Sequence, residues 1–344
     1  MRLPLVVLAA LARTAASYCC FYPETTRRCD NCQSIAEDSN YCAGSESKCV
    51  DECDHVWCDG AAADDGAAAA ATPVLPDGPE WQLGTYTTRY WDCCKPSCAW
   101  NSKGDVDRPV LACEAETGEI LTDANVASVC DGGTAASCAS NQPWTYNDGV
   151  SLGFAAASVG GNHGLNGDEN CGQCYELVWS DEGGAHPDIV GKSHIIQVTN
   201  IGYDVTGDHS FDLQIPGGGQ GIFDTGCVRQ FPGGLFGGYS TDDFDCGVRY
   251  GGCADETGCS RLPSELRAGC EWRFSDSYRS DNPYVRFRRV RCPAELVEIS
   301  GSTPRDDDDW PALDLDAYAG GGLYSRALGR RPGFALALFL GGLM

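Results

Sequence analysis

Asp92 stands among three aromatic residues and three cysteines in the stretch Thr87-Thr88-Arg89-Tyr90-Trp91-Asp92-Cys93-Cys94-Lys95-Pro96-Ser97-Cys98-Ala99-Trp100. A carboxylate held by disulfides beside flat rings suits acid–base chemistry on a sugar. A second acidic segment follows far along the chain, Phe211-Asp212-Leu213-Gln214-Ile215-Pro216-Gly217-Gly218-Gly219. Hydrolysis of a glycosidic bond needs two carboxyl groups on separate elements, one of them protonating the leaving oxygen. Singly, Asp92 reads as well as an exposed acid in a disulfide knot, and Asp212 as a turn carboxylate before glycines. The pair favours the chemical reading.

Around these two, Tyr90 and Trp100 are the candidates for sugar stacking, because an aromatic face offers apolar area to the C–H face of a hexose. Strand alternation points Trp91 away from Tyr90 and Asp92, into the core. Thr88, Arg89 and Lys95 are candidates to bind hydroxyls or shape the site, with salt bridging an equal alternative. Gln214 follows the second acid by two positions, so it is expected on the same face. The run Gly217-Gly218-Gly219-Gln220-Gly221 has no Gly-Lys-Ser/Thr ending, which excludes a phosphate loop; a Gly-rich turn permitting close chain approach suffices. The five histidines lack His-Glu-x-x-His spacing and no Gly-x-Ser-x-Gly occurs, so metalloprotease and serine-esterase chemistry find no support. No metal or organic cofactor is implied.

The elements that must position these residues read as mainly β. Alternation marks strands at Tyr175 to Trp179, His194 to Thr199 and Val285 through Val290. Short helices are expected at Val150 to Val159 and Ser264 to Ala268, with Gly, Asp and Pro turns between elements. Such a pattern favours a barrel with short helices and long loops.

The chain has 344 residues and a net charge of −25, which disfavours nucleic acid and anionic membranes and suits a neutral substrate. Its 22 cysteines follow an N-terminus that reads as a secretory signal over 1–17: Arg2, the apolar Leu3 to Leu11, then Ala15-Ala16-Ser17. Secretion makes disulfides the expected state, leaves a zinc site at Cys29-x-x-Cys32 disfavoured, and places the protein outside the cell. No Asn-x-Ser/Thr sequon is present. Residues 18–59 hold eight cysteines and a surplus of aromatics, which suggests a small glycan-binding module held by four disulfides. Residues 60–80, rich in Ala, Gly, Asp and Pro, read as a linker, and 81–313 as the main domain. Residues 314–344 read as a flexible tail or as a lipid-anchor signal for the cell surface; the apolar run Phe334 to Leu340 is too short to span a membrane as a helix.

The stretch Thr88 to Cys98 resembles the signature of glycoside hydrolase family 45, the small fungal-type endoglucanases. The later segments occur in the same order: Pro143-Trp144, Leu152 to Ala156, Cys174-Tyr175-Glu176-Leu177, Phe211 to Cys227, Cys270 to Phe274 and Cys292 to Leu296. The resemblance covers roughly 85–313 and implies a six-stranded double-psi β-barrel with an open groove. It implies a monomeric enzyme acting on a β-1,4-glucan with inversion, Asp92 as general base and Asp212 as general acid. The acid must be protonated at working pH, which requires a setting that raises its pKa. Asp204 matches an auxiliary acidic position on a mobile loop; the loop here is one residue longer, which makes Asp208 an alternative. Asp224 is assigned a structural role beside Cys227. The family pattern further implies the pairs Cys93–Cys227, Cys94–Cys130, Cys98–Cys171, Cys113–Cys138, Cys174–Cys292 and Cys259–Cys270. A family cysteine pair is absent at the positions of Gly172 and Ser302, and parity leaves Cys246 to pair with Cys253 in a lengthened segment. The rival reading is a non-catalytic, expansin-like glucan-binding or wall-loosening protein; that class lacks the base, which Asp92 supplies here.

Overall fold

A computed structural model describes residues 75–321 apart from 160–163, 183, 203–204, 206–209 and 235–237, together with Pro73, Tyr324 and the backbone of three N-terminal strands. The chain divides into two compact units, Met1–Ala70 and Ala71–Met344. In the first, β1 (Tyr18–Phe21) pairs antiparallel with both β2 (Gln33–Ile35) and β3 (Val56–Cys58). The signal segment, the eight N-terminal side chains expected to form disulfides, most of the linker and the apolar tail lie outside the described residues.

The second unit is mainly β. Its strands are β4 (Gln82–Tyr86), β5 (Thr88–Tyr90), β6 (Cys113–Glu114), β7 (Ala135–Ala136), β8 (Trp144–Asn147), β9 (Val150–Ser158), β10 (Cys174–Trp179), β11 (Ser193–Gly202), β12 (Phe211–Gln214) and β13 (Tyr284–Val290). The main sheet runs β4-β13-β10-β11-β9-β12-β5, with β8 beside β9, while β6 and β7 form a separate ribbon. Both ends of that path lie on one stretch of chain, for only Thr87 separates β4 from β5. Among the described residues four α-helices accompany the sheet: α1 (Gly226–Gln230), α2 (Thr241–Asp245), α3 (Ser264–Phe274) and α4 (Ala294–Ser300).

Val150–Ser158, expected to be helical, is a strand, and all nine of its residues are buried. Its two faces serve two cores. Ala155 and Ala157 meet Tyr175, Leu177, Ile196, Val198, Phe211, Leu213 and Phe287. Leu152 and Phe154 meet Ile195, Val290, Leu296 of α4, Leu315 and Tyr318. A strand apolar on both faces loses its period of two, and a short apolar run then cannot be told from a helix by pattern.

Packing also continues past residue 313. Leu315–Tyr318 forms a 3-10 turn whose Leu315 and Tyr318 are buried in the second core. The segment is tied to the β8–β9 hairpin by Asn147 Nδ2 donating to Leu315 O at 2.8 Å and by Gly320 N–H donating to Asp148. Part of the stretch read as tail is therefore integral to the domain.

Seven disulfides close this unit: Cys93–Cys227, Cys94–Cys130, Cys98–Cys171, Cys113–Cys138, Cys174–Cys292, Cys246–Cys253 and Cys259–Cys270. Three of them staple the turn that carries Asp92 to distant parts of the chain, up to 134 residues away.

Candidate active site

The register of the sheet aligns four residues across four strands. Asp212 of β12 is the partner of Thr88 on β5 and of Ala156 on β9, and Ala156 in turn is the partner of Asn200 on β11. Phe211 and Leu213 enter the first core, so alternation turns half-buried Asp212 to the opposite face, together with Thr88 and Ala156.

Asp92 comes two residues after β5 ends. Trp91, 1% exposed, anchors the chain in a third core, and its backbone N–H donates to Gly219 O at 2.8 Å. The Asp92 carboxylate then accepts from Cys94 N–H at 2.9 Å, an Asx turn that fixes the side chain on its own backbone. Cys93 adopts φ 63°, a left-handed conformation unusual for a residue with a Cβ, and is held there by its bond to Cys227. Next to Cys227, Gly226 allows α1 to approach: a Cβ there would lie 2.4 Å from Asp92 O. The glycine-rich turn after β12 closes in similarly, since a Cβ on Gly218 would lie 3.1 Å from Tyr90 N.

The remaining candidates divide by what they touch. Tyr90 is half-buried on the Asp212 face, and its hydroxyl accepts from Asn200 Nδ2 at 3.1 Å. Trp100, also half-buried, carries the Lys95 ammonium 3.2 Å from its ring centroid. Lys95 itself is buried and donates to Ala124 O and Val126 O at 2.7 and 2.9 Å. Burial lowers its pKa to about 8, against the opposing influence of Asp123. Lys95 thus packs on one face of the Trp100 ring. Gln214 is 2% exposed; its amide donates to Ser137 Oγ at 2.8 Å and accepts from Thr199 Oγ1 at 3.2 Å, an internal brace below the Asp212 face. Arg89 pairs with Asp281 and donates to Gly251 O, which ties the loop after α2 to β5. Thr88 is half-buried beside Asp212. Asp204 and its alternative Asp208 lie outside the described residues. Asp224 pairs with Arg249 at 3.2 Å. Among the described residues no cluster of His, Cys, Asp and Glu could hold a metal ion.

Sequence reasoning missed Asn200, Ala156 and Ser97. The alternation of β11 carried no signal for Asn200, because a register shift between Val198 and Asn200 interrupts it.

A disulfide-rich, mainly β domain with two half-buried aspartates beside aromatic rings belongs to the class of carbohydrate-processing proteins. The model of glycosyl hydrolase family 45 matches residues 84–303. An endoglucanase of Cryptopygus antarcticus is 44% identical over 214 residues, 62% of this chain and 86% of that protein. An endoglucanase of Phaedon cochleariae is 39% identical over 239 residues, 68% of this chain and 90% of that protein. The crystal structure of the cellulase from the Antarctic springtail Cryptopygus antarcticus superposes with a TM-score of 0.54 at 41% identity, covering 65% of this chain and 98% of that one. The chain belongs to glycosyl hydrolase family 45 and is a glycoside hydrolase.

Proposed function

We propose that this protein is a secreted endo-β-1,4-glucanase that cleaves internal bonds of cellulose or a soluble β-glucan with inversion, Asp212 acting as general acid and Asp92 as general base. The observation that carries the reading is the parallel pairing of β12 with β5, which puts Asp212 beside Thr88 on the strand that runs into the Asp92 turn. Relatives named endoglucanase support the substrate class. In this scheme Asp212 protonates the leaving oxygen, Asp92 takes a proton from water attacking the opposite face of the sugar, and the two carboxyl groups stand roughly 6.5–9.5 Å apart to admit that water. Tyr90 and Trp100 stack on sugar rings. Lys95, Arg89 and Gln214 hold those elements in place, and Asp204 is the auxiliary acid.

The sheet path that begins and ends on the stretch around Thr87 supports closure as a six-stranded double-psi barrel, with β4 and β5 as two halves of one strand. The cysteine-dense N-terminal unit is assigned to glycan binding, and the protein to the extracellular space as a monomer, with residues beyond 324 a tail or a lipid-anchor signal. Release of reducing ends from carboxymethylcellulose, with a rapid fall in viscosity, tests the activity. Absence of both on every β-1,4-glucan tried would return the expansin-like reading to first place.

A further inference from the structure

We propose that Asn200 is a positioning residue, holding Tyr90 and the turn that leads to Trp100 in register with Asp212. The inference rests on the assignment of this face as the glucan site. Asn200 Nδ2 donates to the Tyr90 hydroxyl at 3.1 Å, and Asn200 Oδ1 accepts from Ser97 N–H at 2.9 Å. Because a backbone N–H can only donate, Oδ1 must face Ser97, and the orientation of the amide is thereby fixed. Ser97 returns the link: its Oγ accepts from Ile201 N–H at 2.7 Å. Ser97–Ala99 is the 3-10 turn that ends at Trp100. One amide therefore joins both stacking candidates to β11.

The place of Asn200 in the sheet makes the link specific. It lies in the cross-strand row that runs through Ala156 to Asp212. The register shift just before it alters which way β11 presents its side chains at that level. Asn is the short side chain that offers a donor and an acceptor together; alanine offers neither, and aspartate offers two acceptors, one of which the Tyr90 O–H can meet as donor. The turn is also held by Cys98–Cys171, so removing the amide should loosen the aromatic pair without unfolding the domain.

The test is a double-mutant cycle of Asn200→Ala and Tyr90→Phe on a β-1,4-linked glucose hexasaccharide, with KM and kcat measured separately and melting followed in parallel. The hexasaccharide Kd is also measured by calorimetry in an Asp212→Asn background. Asn200→Ala is expected to raise KM and Kd about three- to tenfold, the worth of one hydrogen bond plus the ordering of one ring. Asn200→Asp should restore most of the loss, and in the Tyr90→Phe background Asn200→Ala should cost distinctly less. Effects that multiply independently, or a loss confined to kcat, would overturn the proposal. Should Asn200→Ala fail to fold, Asn200→Asp and Tyr90→Phe form the cycle instead. Lack of turnover in the wild-type protein would refute the glucanase reading, and the Kd cycle would still decide the role of Asn200.

Discussion

Two carboxylates of the same sheet are treated in opposite ways. Glu176 on β10 is 0% exposed. It receives Arg288 Nε at 2.9 Å, Ser193 Oγ at 3.0 Å and Tyr318 Oη at 2.7 Å, and Arg288 lies under the Trp81 ring at 4.7 Å. Asp212 on β12 stays half-buried, with uncharged Thr88 and Ala156 as its cross-strand neighbours. A buried acid met by a guanidinium and two hydroxyls has its oxygens taken up by fixed partners and serves the structure. A half-buried acid with small, uncharged cross-strand neighbours keeps part of its surface open to a ligand. Both acids fall inside the family match, and their surroundings alone separate them.

Exchanging the two acids in experiment breaks the comparison or sharpens it. Asp212→Asn is expected to lower turnover by about 10²–10⁴-fold, the usual worth of a general acid, while the melting temperature stays put. Glu176→Ala should do the reverse: a loss of about 3–5 kcal/mol of stability, because half-buried Arg288 keeps only Glu80 at 3.9 Å and the buried hydroxyls of Ser193 and Tyr318 lose their acceptor, with kcat per folded molecule unchanged. Denaturant titration beside active-site titration separates the two outcomes.

A smaller effect is expected at Tyr318, whose hydroxyl pKa is pushed up by burial and then by the Glu176 charge. Tyr318→Phe should cost about 1.5–3 kcal/mol, as for a hydrogen bond to a charged group. Ending the chain at residue 313 should cost more than that point change, since it also removes Leu315 from the second core. A chain ending there that melts like the full domain would make 314–321 dispensable.

The smallest effect concerns acid. His194 is buried between Trp179 and Trp272, its Nδ1 lies 2.9 Å from Ser151 Oγ, and burial lowers its pKa to about 3. Below the unfolded value of about 6.5 only the unfolded chain takes up the proton, so stability falls with pH, by about 1.4 kcal/mol at pH 5.5. His194→Gln should flatten that part of the stability–pH curve; an unchanged slope would place the acid sensitivity elsewhere.

Much of this architecture was legible in the sequence. The alternation of β10, β11 and β13 survives because the strands keep distinct faces, and α3 begins at Ser264 as read. The family pattern paired the cysteines, and Trp91 is in the core as alternation implied. What failed did so for identifiable reasons. β9 is apolar on both faces and loses its period. Gln214 has the spacing of a groove residue, but Ser137 and Thr199 draw its amide inward. Glu176 stands in a family segment with no role evident from the sequence, because its partners come from three distant segments, at Ser193, Arg288 and Tyr318. Asn200 stayed hidden behind a strand irregularity that no pattern announces.

The most direct test of the account is the configuration of the first product. Proton NMR during early cleavage of a β-1,4-linked glucose oligosaccharide should show the α-anomer appearing first, because a single displacement by water activated at Asp92, with Asp212 protonating the leaving group, inverts the reacting carbon. Initial release of the β-anomer would contradict it, for it would require a carboxylate nucleophile and a covalent intermediate, and Asp92 could not then be the base.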